Sequence, residues 1–303
     1  MSLRSGRSQH GSWQRTQRHG PCPHVAPSAL PVQLASHMLP VLFRIGATPI
    51  WSHSFFTAIG MLVAIVMSWR IARHLRRDSI ELVWIIGGGL TGAALMARYG
   101  LVLKYLLVSS SPSIAGFMRY GGASLLGGLA GAYLGVVIVK RLIGYRRHTG
   151  DLLVPGVALG IAIGRVGCHL AERPGTPTTL PWGVHVPMPI AATVPECPAC
   201  LTGAAMHPSF VYESLFLVAA AAWLYPRAMR ITPMPSWMRE GDLFKLFLLA
   251  YAGARFLLEY VRGNPTMLAS LSGSQLVVLV AIVALSIHFA RRAADARVAA
   301  SPA

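Results

Sequence analysis

Arg255, Glu259 and Arg262 stand inside one apolar stretch of this chain, FKLFLLAYAGARFLLEYVR. Spacings of four and three put all three on one helical face. A charged side chain deep in a bilayer costs roughly 2.5–3.5 kcal/mol on insertion scales, so a chain that keeps one there generally uses it. LVPGVALGIAIGRVGC carries Arg165 in the same way, and the stretch ending MARYGLVLKY carries Arg98. Guanidinium groups aimed inward from apolar helices suit an anion, because each offers a rigid fork of donors and a permanent charge. The plainer alternative for Arg165 is snorkelling, or pairing with an acid such as Glu259.

The elements that must position these groups are membrane spans. Hydrophobic residues make up 54% of the chain and charged residues 12%, about half the charge of a soluble domain. Runs near the ~20 residues needed to cross a hydrocarbon core recur throughout. They predict an all-α polytopic protein with seven spans, at about 53–70, 82–106, 120–140, 152–170, 208–225, 242–261 and 272–290. The net charge of +17 does not indicate a nucleic-acid partner, since the basic residues cluster in short loops between apolar runs. Arg70, Arg73, Arg76 and Arg77 follow span 1, and Lys140, Arg141, Arg146 and Arg147 follow span 3. Arg227, Arg230 and Arg239 follow span 5, and Arg291, Arg292 and Arg297 close the chain. The positive-inside rule then predicts an N-terminus outside and a C-terminus in the cytoplasm. At 1.5 Å per residue, Arg98, Arg165 and Arg255 all fall in the outer half of the membrane.

Residues 1–37 are polar and basic with no apolar core, which reads as a disordered extension or a misassigned start, Met38 being a plausible first residue. The predicted organisation is therefore that extension, a seven-span domain over 38–292 and a cytoplasmic tail over 293–303. Cys197 and Cys200 form a CPAC pair that suits a local disulfide or half a metal site; no second CxxC supplies the other half.

Other segments carry polar groups to the outer end. HPSFVYES opens span 5 and sets Ser209 and Glu213 on one face, with Tyr212 beside them and His207 at the mouth. Glu213 is either part of a binding site or tied to a neighbouring arginine, and His207 either lines the site or is a solvated loop residue. In span 3, Gly127, Gly131 and Gly135 recur every fourth residue, which permits close helix approach. An alternative is room for a lipid beside Gly121 and Gly122. Trp182 in LPWG suits a membrane interface.

Taken in order, GRVGC, PTTLPWGV, HPSFVYES, GDLFKLFLLAYAGARFLLEYVRGNP and LSGSQL resemble bacterial prolipoprotein diacylglyceryl transferases. ARYGLVLKY and GGASLLGGLAG fit the same family, and the resemblance runs from about 45 to 290. It implies transfer of a diacylglyceryl group from phosphatidylglycerol to the lipobox cysteine of a prolipoprotein signal peptide, with release of glycerol phosphate. It implies a multi-pass protein of the bacterial inner membrane, among membrane lipids, with no metal and no cofactor. Carried over by position, Arg165 matches the family's lipid-binding arginine, Arg255 and Glu259 its RFxxE pair, and Gln275 the glutamine opening its last span. Arg98, Gly121, Gly122, His207, Tyr212 and Glu213 complete the expected substrate site. Three positions depart from the pattern. Leu126 stands where the family's span 3 has histidine, Cys168 where its GRIGN motif ends in asparagine, and His53 near its first-span tyrosine. Glu172 is a candidate for the acid that follows GRIGN. With the usual histidine replaced, His53 ranks first among outer-side histidines as the base, ahead of His169, His185 and His207. Glu259 either takes a proton or orients Arg255. The rival expectations are an impaired relative that still binds anionic lipid, and an anion transporter.

Overall fold

The computed structural model describes residues 38–99, 102, 105–106, 113–114, 124–191, 197–235, 237–264 and 266–300. The expected extension over 1–37, and Gly121 and Gly122, lie outside them. Nine α-helices are described: α1 Ser52–His74, α2 Ile80–Tyr99, α3 Leu125–Leu142, α4 Gly150–Ala171, α5 Met188–Ala191, α6 Pro198–Leu201, α7 Ser209–Ala228, α8 Asp242–Leu258 and α9 Gly273–Ala300. Six of them (α1, α2, α3, α4, α7 and α9) are long and apolar enough to cross a membrane. The predicted sixth span is the 17-residue α8, followed by a 3₁₀ turn over Glu259–Val261. α9 continues to Ala300, past the expected domain end at 292. The result is a mostly helical, polytopic membrane fold.

Its outside is apolar. Leu62, Val66, Leu134, Ile138 and Val280 are exposed, as lipid-facing positions must be when the solvent is hydrocarbon. α4 is the hub and packs against α1, α7 and α8, while α2 pairs with α3 and α9 lies on α8. The buried core around α4 includes Ile71, Val154, Ala158, Leu217, Leu224 and Phe247.

Small residues set how closely the helices approach. A Cβ on Gly60 of α1 would fall on the backbone carbonyl of Gly160 in α4, and one on Gly160 would meet the Gly60 carbonyl at 2.6 Å. The same holds at the top of this pair, where a Cβ on Gly167 would lie 2.8 Å from the Ser52 carbonyl. The predicted glycine stripe of span 3 does the same work: Gly131 and Gly135 abut the carbonyls of Gly92 and Gly88 on α2.

Two short antiparallel hairpins, absent from the sequence reading, fix the chain at one end of the bundle. β1 (Val41–Ile45) pairs with β2 (Thr48–Trp51) across Gly46 and Ala47, with Gly46 at φ +59°. Leu39 donates its N–H to the Leu170 carbonyl at 2.9 Å, and Ser52 binds Pro40 and Leu39. The start of α1 is thereby pinned to the end of α4. β3 (Thr266–Leu268) and β4 (Leu271–Ser272) turn the chain between α8 and α9. At the other end Asp151 caps α8, accepting the N–H groups of Gly241 at 2.7 Å and Phe244 at 3.1 Å. Cys197 and Cys200 are joined as a disulfide, their Cα atoms 5.3 Å apart on the single turn of α6.

Replacing Gly160 by leucine is expected to abolish folded protein in detergent, read as loss of the monodisperse peak in size-exclusion chromatography. Gly87→Ala, where a Cβ meets nothing within 4 Å, is expected to leave it intact; equal yields of the two variants would refute the close packing.

Candidate functional site

A buried carboxylate gathers three helices. Glu213, one turn into α7 and 1% exposed, accepts from Arg165 of α4 at 3.0 Å and from the Tyr251 hydroxyl of α8 at 2.6 Å. Its second oxygen lies 3.3 Å from Nη1 of Arg262, just past the 3₁₀ turn. Phe210, fully buried one turn before Glu213, receives two guanidiniums on its ring, Arg262 at 4.4 Å and Arg165 at 5.6 Å. The residue expected to pair with Arg165, if any acid did, was Glu259; the structure gives that place to Glu213. Glu259 lies four residues after Arg255 on its own helix and is held there instead.

Arg255 Nη1 and Glu259 Oε2 approach to 2.6 Å, yet neither atom has a hydrogen bond of good geometry. The contact is a close ion pair with poor directionality, so part of the bonding capacity of both groups is unused. The other oxygen of Glu259 is saturated, accepting from Asn264 and from Ser272 Oγ, both at 2.7 Å. Gln275 closes this ring: its Oε1 accepts the Ser272 N–H at 2.9 Å and its Nε2 donates to the Phe256 carbonyl at 3.3 Å. Gln275 thus acts on the site through Ser272, and the β3–β4 hairpin is what delivers Ser272.

The two halves form one electrostatic unit. Burial, together with the charges of Arg255 and Arg165, pulls the Arg262 guanidinium below its ordinary value. Three guanidiniums, from Arg165, Arg255 and Arg262, meet the carboxylates of Glu213 and Glu259, and Glu172 acts on Arg165 and Arg262 from beside them. Nε of Arg165 and Nη1 of Arg255 are buried donors with no hydrogen-bond partner. A buried donor of this kind costs about 1–3 kcal/mol unless something accepts from it.

His53, at the start of α1, borders this unit. Its Nδ1 lies 3.2 Å from Glu172 and 3.6 Å from the Cys168 sulfur, which is also 3.6 Å from Arg165 Nη1. Partial burial raises the Glu172 carboxyl, but hydrogen bonds from His53 and Cys168 outweigh it and leave the group below its usual value. Among the described residues these three side chains are the one group whose donor atoms, all within 4.8 Å of one another, are close enough to share a cation. The fixed charge of Arg165 against the same sulfur opposes a metal dication there.

Three predicted residues lie at the edges. His207 and Tyr212 are in contact, with Nδ1 to hydroxyl at 3.3 Å, and Trp182 donates to the same hydroxyl at 2.7 Å. Arg98 is partly buried in the last turn of α2, on the helix paired with α3. Gly121 and Gly122 are outside the described residues. Leu126, where histidine was expected, sits partly buried in the first turn of α3. Sequence reasoning missed Tyr251, Phe210, Asn264 and Ser272. Tyr251 had a signal, lying four residues before Arg255 on the charged face of α8.

The chain is thus a helical membrane protein with a buried cluster of arginines and carboxylates where α4, α7 and α8 meet. Residues 40–291 match the family model described as prolipoprotein diacylglyceryl transferase. Similar proteins carry the name phosphatidylglycerol–prolipoprotein diacylglyceryl transferase. One from Synechococcus elongatus is 30% identical over 259 residues, covering 80% of this chain and 83% of that protein. One from Gloeobacter violaceus is 31% identical over 253 residues, covering 80% and 89%. A third, numbered 2, from Streptomyces coelicolor, is 32% identical over 232 residues, covering 73% and 68%. The chain belongs to the prolipoprotein diacylglyceryl transferase family.

Because Glu213 is the common partner, Glu213→Ala leaves Arg165 buried without its counter-charge. A loss of about 3–5 kcal/mol is expected, read as a sharp drop in the thermal midpoint in detergent. A midpoint equal to that of the unmodified chain would show that Glu213 does not hold α4, α7 and α8 together.

Proposed function

We propose that this chain transfers the diacylglyceryl group of phosphatidylglycerol to the lipobox cysteine of prolipoprotein signal peptides, at the outer face of a bacterial inner membrane. The observation that carries the reading is the convergence of three guanidiniums, from Arg165, Arg255 and Arg262, in one buried cluster. Nε of Arg165 is a buried donor in need of an acceptor, and a lipid phosphate supplies one. The helices of the chain make seven spans, α8 with its 3₁₀ turn being the sixth in chain order, with the N-terminus outside and the C-terminus in the cytoplasm. The arginine-rich loops after α1, α3 and α7 support this orientation.

In this reading the lipid phosphate lies between Arg165, Arg255 and Arg262. The cysteine sulfur of the incoming peptide attacks the glycerol carbon of the diacylglyceryl group. A sulfur–carbon bond forms, the carbon–oxygen bond to phosphate breaks, and its electron pair stays on the departing glycerol phosphate. The guanidiniums, Arg165 and Arg255 being almost wholly buried, stabilise the charge that builds there, since fixed donors act most strongly away from water. Arg165 is anchored by Glu213 and Tyr251; Arg255 is anchored by Glu259, which Asn264 and Ser272 hold in place. Glu259 therefore orients Arg255 rather than taking a proton, since both its oxygens are engaged by cations or donors.

The peptide thiol must lose a proton, its free pKa being near 8.5. His53 takes it. Glu172 accepts a hydrogen bond at Nδ1, which fixes the tautomer and leaves Nε2 as the basic nitrogen. The His53 side chain is 43% exposed, open enough to meet a peptide. His207, Tyr212 and Trp182 border the same outer end, where the peptide approaches; Arg98 and the Gly121–Gly122 pair are assigned to the lipid.

Two outcomes check these roles with lipobox peptide and labelled phosphatidylglycerol. Arg255→Lys, which keeps the charge but loses the guanidinium fork, should lower the transfer rate by about 10² or more; a rate like that of the unmodified chain removes Arg255 from the site. His53→Phe should cut the rate by about 10² or more and change the pH–rate profile, whereas an unchanged profile would exclude it as the base.

A further inference from the structure

A second collection of arginines lies at the other end of the bundle, where α1 and α7 finish and α4 and α8 begin. A cleft of about 360 Å³ opens there. Arg77, Arg227, Arg230 and Arg239 line it, with His148 beside them, and its floor includes the buried side chains of Met238 and Leu243. Two carboxylates reach it. Asp151 is occupied, both oxygens accepting backbone N–H groups of α8 and its cap. Glu240 is the other, and it bridges two guanidiniums from distant segments, Arg77 at 2.9 Å and Arg230 at 2.8 Å.

This geometry is that of a bound oxyanion. Two guanidiniums each set one Nη2 on the same oxygen, Glu240 Oε1, as charged donors converge on a phosphate oxygen. The hydrogen bond from Arg77, with the charges of Arg77 and Arg230, holds the Glu240 carboxyl below its usual range. The carboxyl is nevertheless 48% exposed, so it can turn out into solvent. Arg227 lies over the Trp223 ring at 3.8 Å, spends one N–H on the Trp223 carbonyl, and keeps a buried Nε without a partner. Four permanent cations thus line one cleft, and two of them, Arg77 and Arg230, hold its exposed carboxylate. A simple surface ion pair would explain Arg230 and Glu240; it would not explain why Arg77, Arg227 and Arg239 line the same cleft.

We infer that this cleft is a second anion site, taking a phosphate group carried on a membrane lipid or free in solution, and that Glu240 occupies it as an internal stand-in which the phosphate displaces. The site is separate from the Arg165–Arg255 cluster and uses none of its residues.

The test uses the full chain in phosphatidylcholine nanodiscs and reads hydrogen–deuterium exchange of the segment from Arg227 to Phe244. Inorganic phosphate and dihexanoyl phosphatidylglycerol are titrated separately, with dihexanoyl phosphatidylcholine as the zwitterionic control. Protection of this segment by either anion is expected, with none from the control. Protection by the lipid alone assigns the site to a headgroup, and protection by inorganic phosphate alone assigns it to a soluble anion. Glu240→Gln should reach half-protection at a concentration lower by roughly fivefold, the upper end for one exposed ion pair. Arg230→Ala combined with Arg239→Ala should lose protection while still transferring diacylglyceryl groups. Should that double variant not fold, Arg239→Gln alone should weaken the protection. Absence of protection by both anions, or protection that survives loss of these arginines, would overturn the inference, and an unmoved Glu240→Gln curve would overturn the stand-in role.

Discussion

Glu213 is the group on which the meeting of α4, α7 and α8 depends. A carboxylate in the middle of a helix bundle is tolerable only if cations and donors surround it. Arg165 from α4, Tyr251 from α8 and Arg262 beyond α8 meet that need. The requirement is reciprocal, because none of those guanidiniums could lie among apolar side chains alone. The relative placement of three helices, and of two arginines that face the lipid phosphate in the proposed reaction, is thus set by one side chain.

The glycine contacts determine what else reaches that place. Because Gly60, Gly160 and Gly167 let α1 lie backbone-close to α4, His53 arrives beside Cys168 and Glu172. The β1–β2 hairpin and the Leu39–Leu170 hydrogen bond then lock the first residue of α1 against the last turn of α4. On the other side the β3–β4 hairpin brings Ser272 to Glu259, and Gln275 to Ser272. Arg165, Glu259 and His53 are each held by a partner from a different segment, which is the preorganisation that the proposed reaction would use.

Much of this was legible in the sequence. Six spans could be read because long apolar runs have few other uses. Arg165, Arg255, Glu259 and Glu213 stood out because charge is expensive there. The spacing of Gly127, Gly131 and Gly135 correctly foretold a helix contact, now seen against α2. What could not be read is pairing. Arg165 had two acids within plausible reach, and nothing in a one-dimensional string ranks Glu213 above Glu259. The His53–Glu172 contact joins the first helix to the fourth, and Glu172 follows Cys168 at a spacing that only the end of α4 makes productive. The hairpins escaped notice because strands of two to five residues leave no periodic pattern to detect.

The most direct trial of the whole account is chemical. The chain would be reconstituted with phosphatidylglycerol labelled in its diacylglyceryl moiety, alongside a peptide bearing a lipobox cysteine, and the products weighed by mass spectrometry. The account requires the peptide to gain one diacylglyceryl group through sulfur while glycerol phosphate appears in equal amount. A folded chain that leaves the peptide unmodified, under conditions in which another family member modifies it, would contradict it.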